Sequence, residues 1–80
     1  MEKLLEFIVK SISSKPEEVK VNAQEGKEEL IEFHLQANPE DLKIIIGKKG
    51  RTIKAIRNLL KLRAFKEGKK FNLIIDEEAS

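Results

Sequence analysis

Hydrophobic positions change their period three times along the chain, and each change marks a new kind of element. In "EKLLEFIVKSI" Leu5, Ile8, Val9 and Ile12 recur at helical spacing, and "SSKP" closes the segment before Pro16. The pattern predicts a short N-terminal helix. From Glu17 the period becomes two: Val19, Val21 and Ala23 alternate with charged or polar residues, "QEGK" supplies a turn around Gly26, and Ile31, Phe33, Leu35 and Ala37 alternate again. This is a hairpin whose strands have one buried and one wet face. His34 falls on the wet face with Glu32 and Gln36, the place of an ordinary exposed strand residue with no catalytic partner.

"NPED" then opens a helix. Asn38 can cap it, Pro39 suits the first helical position, and Glu40 and Asp41 favour the positive end of the dipole. Gly47 ends this short helix, and a longer one runs from near Gly50 to about Glu67, where Gly68 closes it. Ile53, Ile56, Leu60 and Ala64 form its main apolar stripe, with Lys54, Arg57 and Lys61 on a neighbouring flank. "KKFNLIID" alternates Phe71, Leu73 and Ile75 as a last strand, after which the tail at 77–80 is expected to fray. The predicted class is α+β in the order α-β-β-α-α-β, with a three-stranded mixed sheet and three helices on one face. The hairpin strands run antiparallel, and the helical crossover allows the second and third strands to run parallel.

Composition narrows the function. Eighty residues, 40% hydrophobic and 38% charged, make one domain over 1–80 with a modest core and a densely charged surface. No long apolar segment or signal-peptide pattern occurs, which points to a soluble, cytoplasmic protein with no membrane contact. With no cysteine and one histidine, disulfide frameworks, thiol catalysis and the usual zinc ligand sets are excluded or nearly so. No metal, cofactor or small-molecule substrate is expected. Glu28, Glu29 and Glu32 read as strand and turn charges, and no nucleophile, base and oxyanion set is present, so the chain is not expected to be an enzyme.

The net charge of +2 hides a strong asymmetry. Residues 1–42 carry a net −5, residues 43–70 a net +10, and residues 71–80 a net −3, with Glu67 the one acid in the basic block. Such a block is the footprint expected for a polyanion partner. At its start stands "IIIGKKGRTIKAIR", in which two of the chain's four glycines bracket two lysines between two helices. A helix that starts just after a glycine loop offers unpaired N–H groups and a positive dipole end. Glycine also lets another backbone approach without a Cβ in the way. Gly47 and Gly50 therefore place Lys48 and Lys49 where phosphates would lie, Arg51 and Lys54 extend the site, and Thr52 can donate a hydroxyl hydrogen bond. The Walker and dinucleotide phosphate loops need other glycine spacings and are absent.

What fits is the KH domain, whose GXXG loop clamps about four nucleotides of single strand. "IIGKKGRTI" resembles the KH core pattern, and the leading helix and strand resemble the type II arrangement. In size and in "PED", "IIGKKGRTIKAIR" and "LLK" the chain is similar to the small single-KH bacterial proteins of the KhpA/YlqC family. The resemblance implies a non-catalytic single-stranded RNA-binding protein, an RNA chaperone or post-transcriptional regulator, linked to cell-envelope homeostasis and cell-length control. It implies a second KH protein of the Jag type as a partner. Gly47, Lys48, Lys49 and Gly50 would be the clamp, and Arg51 and Lys54 flanking phosphate contacts. Ile44, Ile45 and Ile53 would be either groove floor or plain core. Where family members often have a glycine followed by lysine, this chain has Lys43 and Ile44, a bulkier pair that bears on groove width and base preference.

Two further expectations come from the residues alone. No aromatic lies between Phe33 and Phe65, and Trp and Tyr are absent, which argues against rings displayed on a sheet face for stacking. Ala55, Leu59 and Leu62 form a second apolar flank of the long helix, expected to pack against the N-terminal helix or else to serve a homodimer. An assembly module with RNA binding secondary is therefore the rival reading.

Overall fold

The computed structural model describes residues 1–76, so the tail at 77–80 lies outside the described residues. The elements follow the expected order: α1 (Glu2–Ile12), β1 (Lys20–Glu25), β2 (Leu30–Gln36), α2 (Pro39–Ile46), α3 (Arg51–Glu67) and β3 (Lys70–Ile75). Short 3-10 turns at Pro16–Glu18, Lys27–Glu29 and Lys48–Gly50 join them. No helix of the described residues is long and apolar enough to cross a membrane.

β2 is the central strand, antiparallel to β1 and parallel to β3. A parallel neighbour requires a crossover, and α2 with α3 supplies it. The register aligns Ala23 with Phe33 and Leu73, and Val21 with Leu35 and Ile75, so the apolar positions of all three strands share the face on which the helices pack. Leu5 and Val9 of α1, Phe33 and Leu35 of β2, Ile45 of α2 and Leu60 of α3 meet there, fully buried. Each contributes roughly 1.5–3 kcal/mol by burial. The Phe33 ring lies tilted against Phe71, with centroids 6.3 Å apart.

Two details depart from the sequence pattern. Burial fades along β1: Val19 just before it is buried, Val21 half-buried and Ala23 exposed. β1 is the edge strand, and the helices cover the centre of the sheet and the base of the hairpin. The hairpin also does not turn on Gly26. That residue is extended and donates its N–H to Leu30 O at 2.7 Å, while Glu28 and Glu29 take the left-handed conformation at φ 60° and 64°.

The helix ends are well specified. Asn38 Oδ1 accepts from the Glu40 N–H at 3.0 Å and Pro39 follows it, as expected for the start of α2. At the end of α3, the Lys69 N–H reaches Ala64 O at 2.9 Å and the Gly68 N–H reaches Phe65 O at 3.2 Å, with Gly68 at φ 68°. This is the paired-bond helix stop, and it turns the chain straight into β3.

α2 is anchored by a buried carboxylate. Asp41 has no exposed surface and accepts three hydrogen bonds from the segment after α1: Ser14 N–H at 2.9 Å, Ser14 Oγ at 2.8 Å and Lys15 N–H at 2.9 Å. The Ser14 and Lys15 amides hold its pKa below the usual carboxylate value, against the opposing effect of burial, with the Ser14 hydroxyl and the Lys15 charge assisting.

Candidate nucleic-acid interface

The segment between α2 and α3 is built from unusual backbone. Gly47 sits at φ 80°, ψ 170°, Lys49 at φ 56° and Gly50 at φ 73°. Gly47 ends α2 by donating to Lys43 O at 2.9 Å, and Gly50 closes the loop by donating to Gly47 O at 3.1 Å. The Arg51 amide donates to Lys48 O. The amides of Lys48 and Lys49 are not among these bonds. Lys49 and Gly50, both left-handed, are the central residues of the tight turn that the Arg51 amide closes, and they deliver the chain directly into α3. The N-terminus of the 17-residue α3 adds its positive dipole end there.

Lys48, Lys49, Arg51 and Lys54 lie on this loop and the first turn of α3, and all four are exposed. Among the described residues, no ion pair ties down any of them. Charge that is not neutralised within the fold is available to a ligand. Thr52 differs: it is half-buried, and its side chain packs against Gly47, so its first task is to shape the loop. The three isoleucines also separate. Ile45 is fully buried and Ile53 nearly so, both in the core, while Ile44 is 49% exposed. Lys43 beside it is exposed as well.

Farther along α3, a groove of about 710 Å³ lies between its C-terminal half and the edge strand β3. Arg57, Lys61, Ala64 and Phe65 form the helix wall; Lys70, Asn72 and Ile74 are on the strand wall. Arg57 Nη2 donates to Leu73 O at 3.3 Å and so spans the two walls. Lys69, at the far end, is engaged with Glu25 at 3.5 Å. The periodicity places Arg57 and Lys61 on a flank of α3, but the strand wall and Phe65 do not emerge from it. They become neighbours only when Gly68 folds β3 back along α3. The signal in the sequence is "GKK" at the head of β3, basic residues directly after a helix stop.

The aromatic rings stay off the open face of the sheet: Phe33 and Phe71 point into the helix side, and Phe65 is 86% exposed at the groove. The outer flank of α3 is less covered than packing on α1 would make it. Leu59 is 50% and Leu62 66% exposed, Ala55 is exposed too, and α1 reaches this flank with Leu4.

A GXXG loop between two helices, inside α-β-β-α-α-β connectivity with a parallel β2–β3 pair, defines a type II KH domain. The sequence model described as KhpA/KhpB, KH domain, matches residues 2–75. The chain belongs to that family. It is 49% identical over 70 residues to the RNA-binding protein KhpA of Clostridium perfringens, covering 88% of this chain and 92% of the relative. Identity to the RNA-binding protein KhpA of Chlamydia trachomatis is 44% over 78 residues, or 98% and 99% of the two chains. The RNA-binding protein KhpA of Borreliella burgdorferi is 43% identical over 72 residues, covering 90% of this chain and 87% of the relative. No solved structure matches the chain significantly.

Proposed function

We propose that this protein is a non-catalytic single-stranded RNA-binding module that clamps the phosphodiester backbone with Gly47, Lys48, Lys49 and Gly50. The observation that carries the reading is the loop itself, where left-handed backbone and two lysines stand at the positive end of α3. Arg51 and Lys54 contact flanking phosphates, and bases lie along the α3–β3 groove. Ile44, the exposed member of its trio, meets a base near the clamp, and Lys43 narrows the entrance beside it. The RNA-binding relatives support the same assignment. The resemblance further supports service as an RNA chaperone or regulator in the cytoplasm, tied to the cell envelope and cell length, with a Jag-type KH protein as partner.

The test is binding of an end-labelled RNA of about eight nucleotides, twice the reach of one clamp, across a salt series to the wild type and to Lys48→Asp with Lys49→Asp. Circular dichroism first establishes that the variant is folded. The reading requires a large loss of affinity and a shallower salt slope, since two phosphate contacts are removed. Unchanged affinity and slope would reduce the loop to a turn.

One observation favours a second role beside the first. Leu59 and Leu62 leave an apolar strip on α3, with Leu4 beside it, that stays open among the described residues. We read it as a homodimer surface, which would pair two weak RNA sites and raise their joint affinity through effective concentration. A mass that rises with protein concentration tests it.

A further inference from the structure

We propose that Phe65 is a base-stacking site: the nucleobase of bound RNA farthest from the GKKG loop stacks on its ring. The inference rests on the RNA-binding reading above and adds a contact of a different kind, aromatic instead of electrostatic. A single exposed apolar side chain needs no explanation by itself. The surroundings of Phe65 set it apart. It is 86% exposed yet lies on the helix wall of a groove that carries Arg57 and Lys61 on the same wall and Lys70 opposite. Lys61 is one helical turn before it, so cation and ring are aligned along the groove. The ring stands roughly 22 Å from the loop by helical rise, beyond Lys54, Arg57 and Lys61 on the same flank of α3.

The position is also held firmly. Phe65 is in the last turns of α3, where its carbonyl accepts from Gly68 and the neighbouring Ala64 carbonyl accepts from Lys69. These bonds fix where the side chain starts, a phenyl ring has only two torsions to order, and every base has a π-face to lay on it. Phe7, also exposed at 70%, has no such setting: it lies on α1 among Lys3, Glu6 and Lys10. Leu59 and Leu62 line a different pocket, with Leu4, so the RNA groove and the apolar strip are separate surfaces. A phosphate track that ends in a ring suits a single-stranded nucleic acid better than an apolar protein face.

The experiment compares the wild type, Phe65→Leu and Phe65→Trp on the same short RNA and on an abasic strand with the same phosphates. Phe65→Leu should bind the RNA on the order of tenfold more weakly, with an unchanged salt slope and unchanged binding of the abasic strand. Phe65→Trp should keep wild-type affinity and lose fluorescence as RNA is added, a clean signal because the protein has no other tryptophan. If the wild type binds RNA but Phe65→Leu binds it equally and the fluorescence of the Phe65→Trp variant does not move, stacking is overturned while the clamp stands. If Phe65→Leu lowers the sedimenting mass and leaves RNA affinity intact, the ring is a protein contact and the proposal falls. If the wild type binds neither strand, the RNA reading itself fails, and this site with it.

Discussion

Gly47 is pressed against Thr52: a Cβ built on the glycine would lie 2.7 Å from Thr52 Cβ and 2.8 Å from its amide nitrogen. Gly50 has no comparable neighbour, its nearest atom being Ile53 Cγ2 at 4.0 Å. The two glycines of the motif therefore have different reasons to be glycine. Gly47 also holds φ 80°, ψ 170°, a region essentially closed to other residues, whereas Gly50 holds an ordinary left-handed turn conformation. Gly47→Ala should cost about 1–3 kcal/mol from backbone strain, with the steric clash added to it. Gly50→Asn should cost less than that, since Asn tolerates the left-handed region. Chemical denaturation of both variants checks the ranking, and equal losses would contradict it.

Lys49 is a lysine at φ 56°, where glycine is at ease. Lys49→Gly should raise stability by up to about 1 kcal/mol while weakening RNA binding through loss of a cation. Opposite movements of the denaturation midpoint and the RNA affinity are the expected result. A loss of stability would show that the lysine is held by contacts within the fold.

Asp41 joins the segment after α1 to the start of α2 through three accepted hydrogen bonds. Its folded pKa is depressed, so its contribution is complete at neutral pH. That contribution declines as the pH falls past about 4 and is gone below the folded value. Asp41→Asn should melt at a lower temperature than the wild type at neutral pH, and the gap should narrow as the pH is lowered through that window. A gap independent of pH would mean that shape, not charge, is what the site uses.

Leu60 and Leu62 test the two sides of α3. Leu60 is fully buried, and Leu60→Ala should cost about 2–5 kcal/mol. Leu62 is 66% exposed, and Leu62→Asp should stay within about 0.5 kcal/mol of the wild type. If the outer strip is a dimer surface, Leu62→Asp should also sediment at the 9.2 kDa of one chain at every concentration.

The elements are legible in the sequence because period and punctuation agree. Asn38, Gly47 and Gly68 mark helix ends in the sequence and occupy those ends in the fold. The hairpin turn is harder to place: Gly26 is the conspicuous breaker, yet the reversal falls on Glu28 and Glu29, two residues that carry no turn signature. Periodicity does not sort Ile44 from Ile45, since α2 has only eight residues and a short helix gives the period little to work with, whereas Ile53 falls on the main apolar stripe of α3 and is buried there. The outer strip of α3 resists for another reason. Whether a second apolar flank is covered depends on how far α1 reaches across, and that is a property of packing between elements remote in sequence. The groove is legible on its helix side alone, because its other wall is supplied by β3.

The parallel seam between β2 and β3 has a bearing on when this protein becomes competent during synthesis. The hairpin joins neighbours in the chain, but Ile31 of β2 must find Phe71 beyond both helices of the crossover, and distant pairings of this kind close slowly. The segment that emerges ahead of the basic block is acidic, with a net −5 over residues 1–42. A nascent chain stopped before Lys70 exposes a basic helix with one wall of its groove missing. The groove beside α3 is thereby coupled to the slow pairing of β3 with β2, since that pairing supplies its second wall.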